Sequence, residues 1–368
     1  MSARATLQSL GSLLATLLIL EAVLRLGYGL TDRLPPHPDS SLTREWEWAA
    51  EHLKKDASEI PGLAGFDPLL GWRDTRDDTT WIRDAGYQTG NVVPGVPPRG
   101  ARTLFIGDSF TAGLYVDPRQ AFPYRYGEAF LADGETVNLG VSGYGVDQML
   151  LLYEHLGRRL HADTVVLGFY TGGYDRTQSG FTYYAKPFFT LTAGDQLHLR
   201  GQPVPSPATL FAAYRTGERQ VGDAAGTLLG RTFTAALARW HENRRLDGPD
   251  DPRWRLMAAF LDRFATLTRA DHARPVLLII PTRPERFADS READFDRLAM
   301  ASACDKGILP VSLAAPFAAA LDRNPVEPLY RPREAGGHFT AQGHWLAARV
   351  LHDALAAPAS SCRHVTPG

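Results

Sequence analysis

Between Arg102 and Gly168 the chain repeats one pattern, and that pattern limits the fold more than any other feature. Thr103 to Ile106 reads as a short apolar strand, followed by a glycine-rich turn and a helix near Pro118 to Ala132. Thr136 to Leu139 reads as a second strand, with a glycine-punctuated loop and a helix from Gln148 to Leu160, and Thr164 to Gly168 reads as a third. Apolar strands alternating with helices predict an α/β fold whose parallel sheet is covered on both faces. Such sheets bind their ligands at the carboxyl ends of the strands. Two further strands, Pro275 to Ile280 and about Leu309 to Leu313, and a last helix from Ala341 to Ala356 extend the pattern.

The rest of the chain is organised around this core. Residues Leu7 to Leu30 are dominated by Leu, Ala and small residues over about 24 positions, enough to cross a hydrocarbon core as a helix. Glu21 and Arg25 interrupt it at i and i+4, a spacing that lets them pair. The reading is an uncleaved signal anchor, with a cleaved signal sequence or a buried or interfacial helix as its alternatives; either of the first two places the remainder outside the cytoplasmic membrane. Residues 1–33 are thus expected to be the anchor, 34–65 a proline-rich linker and helix, 66–358 the α/β domain with an insertion at about 176–272, and 359–368 a polar tail. Within the insertion, Lys186 to Pro205 reads as a β-hairpin turning near Gly194, and Leu210 to Arg245 reads as helical.

Composition closes off several functions. The 39 basic residues against 41 acidic ones give a formal charge of -2, which offers no electrostatic footprint for nucleic acid. The two cysteines, Cys304 and Cys362, share no metal-ligand spacing, though an extracytoplasmic location would let them pair.

Three blocks carry chemistry. Ile106-Gly107-Asp108-Ser109-Phe110-Thr111 runs a strand into a turn that sets the Ser109 hydroxyl at the sheet's carboxyl edge, where it is placed like a nucleophile or a helix cap. Asp108 is expected to anchor that turn through backbone N–H groups. Asn138-Leu139-Gly140-Val141-Ser142-Gly143-Tyr144-Gly145 exposes backbone N–H groups at the same edge, suited to holding an oxyanion. Gly336-Gly337-His338, just before the last helix, supplies a loop histidine able to act as general base. His344 lies six residues further on, off the spacing of a two-histidine metal pair. The aromatics Phe181, Tyr183, Tyr184, Phe188 and Phe189 either pack beneath the hairpin or line a sugar-binding surface.

Taken in this order, the three blocks resemble the SGNH (GDSL-type) hydrolase superfamily over about Phe66 to Ala356. The N-terminal apolar helix and the segment Phe66-Asp67-Pro68-Leu69-Leu70-Gly71-Trp72 are similar to its membrane-anchored envelope branch. The resemblance implies a flavodoxin-like three-layer α/β/α fold, with Ser109 as nucleophile, His338 as base, and the N–H groups of Ser109 and Gly143 as oxyanion donors. It implies acyl transfer to water or to a hydroxyl with no metal and no organic cofactor. The expected substrate is an O-acyl, above all O-acetyl, group on an envelope glycan or similar polymer, with a membrane-bound acyltransferase as a partner the setting allows.

Two departures bear on activity. The superfamily's third block carries Gly-x-Asn-Asp, whereas Gly172-Gly173-Tyr174-Asp175 stands here, so Tyr174 or the Gly173 N–H takes the place of the missing amide. The acid that normally precedes the histidine by two or three residues is replaced by Ala335 and Gly336, leaving Glu334 or Asp175 as candidate acids. A catalytically degenerate scaffold that binds glycan, or assembles a polysaccharide-modifying complex at the membrane, is the competing expectation.

Overall fold

The computed structural model describes residues 3–31, 34, 36–54, 65–73, 81–82, 87–88, 100–222, 226–283, 290–323, 328–332 and 337–357. Along the chain, α1 (Ala3–Gly29) and α2 (Ser40–Leu53) precede four two-residue strands, β1 (Phe66–Asp67), β2 (Gly71–Trp72), β3 (Trp81–Ile82) and β4 (Tyr87–Gln88). The α/β core begins with β5 (Arg102–Gly107), α3 (Ser109–Ala112), α4 (Phe122–Phe130), β6 (Glu135–Gly140), α5 (Val146–His155), β7 (Thr164–Tyr170) and α6 (Tyr174–Thr177). The insertion holds β8 (Phe188–Leu191), β9 (Leu197–Arg200), α7 (Pro207–Arg215), α8 (Leu228–Asn243) and α9 (Pro252–Ala270). The chain returns to the core through β10 (Arg274–Ile280), α10 (Arg291–Asp305), β11 (Leu309–Ser312), α11 (Ala314–Arg323) and α12 (Ala341–Ala356).

The chain forms two compact units, one of residues 1–62, 181–184 and 205–244, the other of residues 63–180, 185–204 and 245–368. In the larger unit a seven-stranded sheet runs β11-β10-β7-β5-β6-β4-β3. Its five long strands are parallel, and β4 joins β6 antiparallel through Gln88 and Asn138. Taking the parallel strands alone, the order is 2-1-3-4-5, the doubly wound arrangement whose direction of winding reverses between the first strand and the third. Helices α4 and α12 pack together on one face, while α5, α9 and α10 cover the other. Both faces being covered, Leu104 to Ile106, Val165 to Leu167 and Val276 to Ile280 are continuous apolar runs with no exposed side chain. Helix starts are fixed by side-chain caps: Asp251 with Pro252 at the first turn of α9, Ser290 for α10 and Thr340 for α12.

The smaller unit contains α1, α2, α7 and α8. Trp46 and Ala49 of α2 are buried, and Trp48 lies 5.4 Å from the Tyr184 ring and 6.4 Å from Phe181. The Tyr184 hydroxyl donates to the Pro205 carbonyl at 2.9 Å. Phe181 and Tyr184 therefore pack; of the five aromatics, only Tyr183 is well exposed, at 65%. In α1, Ser9–Gly29 is long and apolar enough to cross a membrane.

The structure corrects two expectations about helices. The continuous helical reading of Leu210 to Arg245 divides into α7 and α8, because α7 ends at Arg215 with Thr216 as its cap, and Gly217 then adopts φ 79°. Helices α10 and α11 were not expected, although Ser290 caps α10 and Glu292 and Asp294 occupy its first turn, a start signal present in the sequence. The hairpin strands β8 and β9 pair from Phe188–Arg200 to Leu191–Leu197, in the expected segment.

Candidate active site

Three glycines stand side by side across three strands and seat the helix that carries Ser109. Gly107 is paired in register with Gly140 on β6 and with Gly168 on β7. A Cβ at Gly107 or Gly168 would collide with the Thr111 side chain, and one at Gly140 with the backbone of Ala112. The row thus lets α3 press directly onto the ends of the sheet, at the reversal point of the strand order. Asp108 caps α3, its Oδ1 accepting from the Phe110 N–H at 2.9 Å. Asn138 fastens the neighbouring strand end, donating to the Thr111 carbonyl and accepting from the Gly140 N–H, both at 2.9 Å.

Across the sheet edge His338 meets this helix. Its Nε2 lies 2.8 Å from Ser109 Oγ. The imidazole is stacked on Phe110, with centroids 4.7 Å apart and planes at 29°, and Tyr115 meets it edge-on at 5.3 Å. Phe110 in turn lies against Tyr170 at 4.5 Å and Phe339 at 4.8 Å, so a run of rings sets the plane of the imidazole. An isolated antiparallel bridge between Tyr330 and Phe339 fixes the backbone beside it, and the Arg331 N–H donates to the His338 carbonyl at 2.7 Å. With the proton on Nδ1, Nε2 is free to accept from the serine hydroxyl, the tautomer a general base requires.

The glycine loop after β6 is held from below. Gly143 takes φ 83° at the third position of a turn closed by the Tyr144 N–H to the Val141 carbonyl at 3.2 Å, a conformation open to glycine. The Trp72 Nε1–H donates to the Ser142 carbonyl at 3.0 Å, and the Tyr144 hydroxyl donates back to the Trp72 carbonyl at 2.5 Å. Gln148 reaches the Leu70 carbonyl at 2.7 Å and accepts from the Gly145 N–H at 3.3 Å. The segment Leu70 to Trp72 is therefore the strut of this loop. Beneath it the fully buried Lys186 ammonium pairs with Asp147 and donates to the carbonyls of Arg176 at 3.0 Å and Ser179 at 2.9 Å. Burial raises the Asp147 carboxyl to about 6 against the pull of Lys186.

The third block differs from expectation. Tyr174 is 1% exposed, its ring lies 4.2 Å from Phe295, and its hydroxyl donates to the Arg253 carbonyl. That phenol is a core anchor turned away from Ser109, because the turn Thr171–Gly173 rolls directly into α6 and carries the side chain inward. Asp175 is bound by Arg291 at 2.9 Å and 3.3 Å, which occupies the carboxylate that was a candidate acid. Gly173 is buried in the turn between β7 and α6. Glu334 lies outside the described residues, as do Ala335 and Gly336.

One charged group at the site, Arg176, was not singled out from the sequence. Arg176 donates to Asp108 Oδ2 at 3.0 Å and stands over the Tyr170 ring at 6.0 Å. Burial raises the Asp108 carboxyl, while the charges of Arg176 and, more weakly, His338 act in the opposite direction. Burial also lifts the Tyr170 hydroxyl to about 12, so it stays a neutral donor. His344 is set apart from this chemistry: buried beside Phe122, it accepts from the Phe122 N–H at 3.2 Å, and burial lowers it to about 3. It is a neutral core residue. Among the described residues no group of three His, Cys, Asp or Glu side chains is placed to hold a metal ion.

Solved structures similar to this chain include an acetylxylan esterase from Geobacillus stearothermophilus, in a catalytic variant, at 16% identity and TM-score 0.40, covering 70% of this chain and 95% of that one. A protein described as a GDSL-like lipase from Parabacteroides merdae is 14% identical at TM-score 0.39, covering 71% of this chain and 98% of that one. No family model and no curated protein matches the sequence.

Outside this edge, Cys304 is disulfide-bonded. Cys362 lies outside the described residues. A separate open cavity of about 620 Å³ lies between β8 and the start of α9, lined by Phe188, Thr190, Pro252 and Arg255 among others.

Proposed function

We propose that the protein is an SGNH-type serine esterase or O-acyltransferase acting on O-acyl, above all O-acetyl, groups of an envelope glycan. The observation that carries the reading is the 2.8 Å contact between Ser109 Oγ and His338 Nε2 at the reversal point of a doubly wound sheet. His338 Nε2 takes the hydroxyl proton as Ser109 Oγ bonds to the ester carbonyl carbon. The oxyanion so formed is met by the backbone N–H groups of Ser109 and Gly143. Collapse breaks the bond to the sugar oxygen, which leaves with the proton held by His338, and an acyl-serine remains. Water or an acceptor hydroxyl then repeats the sequence in reverse and releases the acyl group.

The buried Asp108, the residue before Ser109 and the cap of the helix that carries it, adds a carboxylate that favours the imidazolium formed in each step. With Tyr174 committed to the core, the hole loses the side-chain donor of the third block, a loss worth about 10²- to 10³-fold in rate. The apolar α1 supports an envelope setting in which the domain faces outward and a membrane-bound acyltransferase supplies or receives acyl groups. Whether water or a second hydroxyl accepts the acyl group follows from the solvent exclusion that substrate brings.

The test is fluorophosphonate labelling of the full chain in detergent. Wild type should label, and Ser109→Ala and His338→Ala should each lower the rate by about 10⁴-fold or more. Absence of labelling in folded wild type overturns the esterase reading in favour of a glycan-binding scaffold.

A further inference from the structure

Helix α8 presents its apolar residues outward. Phe233, Leu237 and Trp240, at i, i+4 and i+7, are 68%, 44% and 59% exposed. The opposite face is the packed one: Ala235 is buried, and Arg231 lies 5.5 Å over the Trp46 ring. An amphipathic helix that turns its apolar stripe away from its own unit has another medium to meet.

Two observations identify that medium. The first is the junction with α1. The Glu21 carboxylate accepts from the N–H groups of Leu228 at 3.0 Å and Leu229 at 2.8 Å, capping the start of α8 from within the membrane-spanning candidate. Between Arg4 and Glu21 the sequence is uncharged, a run about 24 Å long as helix against a hydrocarbon core of about 30 Å, so Glu21, the first charged residue after Arg4, lies toward the outer side of the span, and α8 begins beside it. The second is the company of the stripe. Arg244 stands 5.8 Å over the Trp240 ring, and Arg239 is exposed beside it, the pairing of tryptophan and arginine that suits a lipid headgroup region.

We infer that α8 is an interfacial helix lying on the outer leaflet, with Phe233, Leu237 and Trp240 inserted at the boundary of headgroups and acyl chains. Leucines along α1 are likewise exposed, as a lipid-facing span requires. Glu21 joins the two, holding the span and the surface helix in one arrangement. The inference is independent of the catalytic reading and rests on α1 crossing the bilayer.

The experiment places the full chain in phosphatidylcholine vesicles brominated either near the headgroup or near the bilayer centre, after confirming resistance to carbonate extraction. Tryptophan fluorescence should be quenched more strongly by the shallow bromines, and Trp240→Phe should remove most of that quenching. Leu237→Asp, with α1 still resistant to extraction, should weaken it likewise and so guards against a local effect of the tryptophan change. Equal quenching of wild type and Trp240→Phe, stronger quenching by deep bromines, or cross-linked dimers with Trp240 shielded from lipid would each overturn the inference. Fluorophosphonate labelling of the same samples reports the serine separately, so failure of either reading is visible alone.

Discussion

The loop bearing His338 rests on rings, whereas the loop bearing Gly143 rests on charges and hydrogen bonds. Phe110, Tyr115, Tyr170 and Phe339 surround or back the imidazole, and one β-bridge holds its backbone. Under the glycine loop stand the buried Lys186–Asp147 pair and the reciprocal bonds of Trp72, Tyr144 and Gln148. Apolar packing degrades gradually when a side chain is reshaped to similar volume, while a buried polar network fails when one partner goes, because the other is left desolvated. The His338 loop is thus held by a tolerant device and the Gly143 loop by a brittle one.

The sharpest way to break this contrast is at Lys186. Lys186→Met leaves Asp147 buried without its counter-charge and should destabilise the fold by about 3–5 kcal/mol in urea unfolding, with loss of serine labelling. Adding Asp147→Leu should recover most of the stability, since an apolar pair of similar volume replaces both charges. A single variant as stable as wild type would remove the distinction between the two loops. Phe110→Leu should act more mildly. It keeps an apolar filling under His338 but loses the ring stack, and about 1 kcal/mol of lost orientation would slow fluorophosphonate labelling by about fivefold to tenfold while the fold persists.

Asp296 sharpens the polar side of the comparison, being a half-buried carboxylate whose hydrogen-bond donor is the Ser312 hydroxyl, at 2.6 Å. Burial raises it to about 6 from a usual value near 3.8. A raised acid contributes stability that is present below the lower value and lost as pH rises through about 6. Asp296→Asn should therefore raise Tm at pH 7 by about 2–4 °C, corresponding to ~1 kcal/mol, and change it little at pH 4. A thermal unfolding series across that range would show it, and an equal shift at both pH values would deny the carboxylate its cost.

Much of the fold was legible because its signals are local. All five parallel strands were visible as short apolar runs, and Ser109, Gly143 and His338 stand in contiguous blocks at strand or helix ends. What escaped depends on side-chain direction or on distant partners. A register placed Tyr174 at the site, but the backbone turns immediately into α6 and carries the ring toward Phe295. Lys186 drew no notice, because its partner Asp147 lies on another element and only the folded hairpin brings them together. Arg176 was equally silent, since an arginine two residues past a helix start reads as surface until its contact with Asp108 is seen. The strut role of Trp72 is likewise a tertiary fact, carried by hydrogen bonds to residues some seventy positions away.

The row formed by Gly107, Gly140 and Gly168 has a consequence for anyone reshaping this protein. The three positions are far apart in the chain yet share one seat under Thr111 and Ala112. A saturation scan should therefore show intolerance as a stripe crossing the strands, and a recombination library that exchanges segments among related chains must inherit the trio together with the residues resting on it.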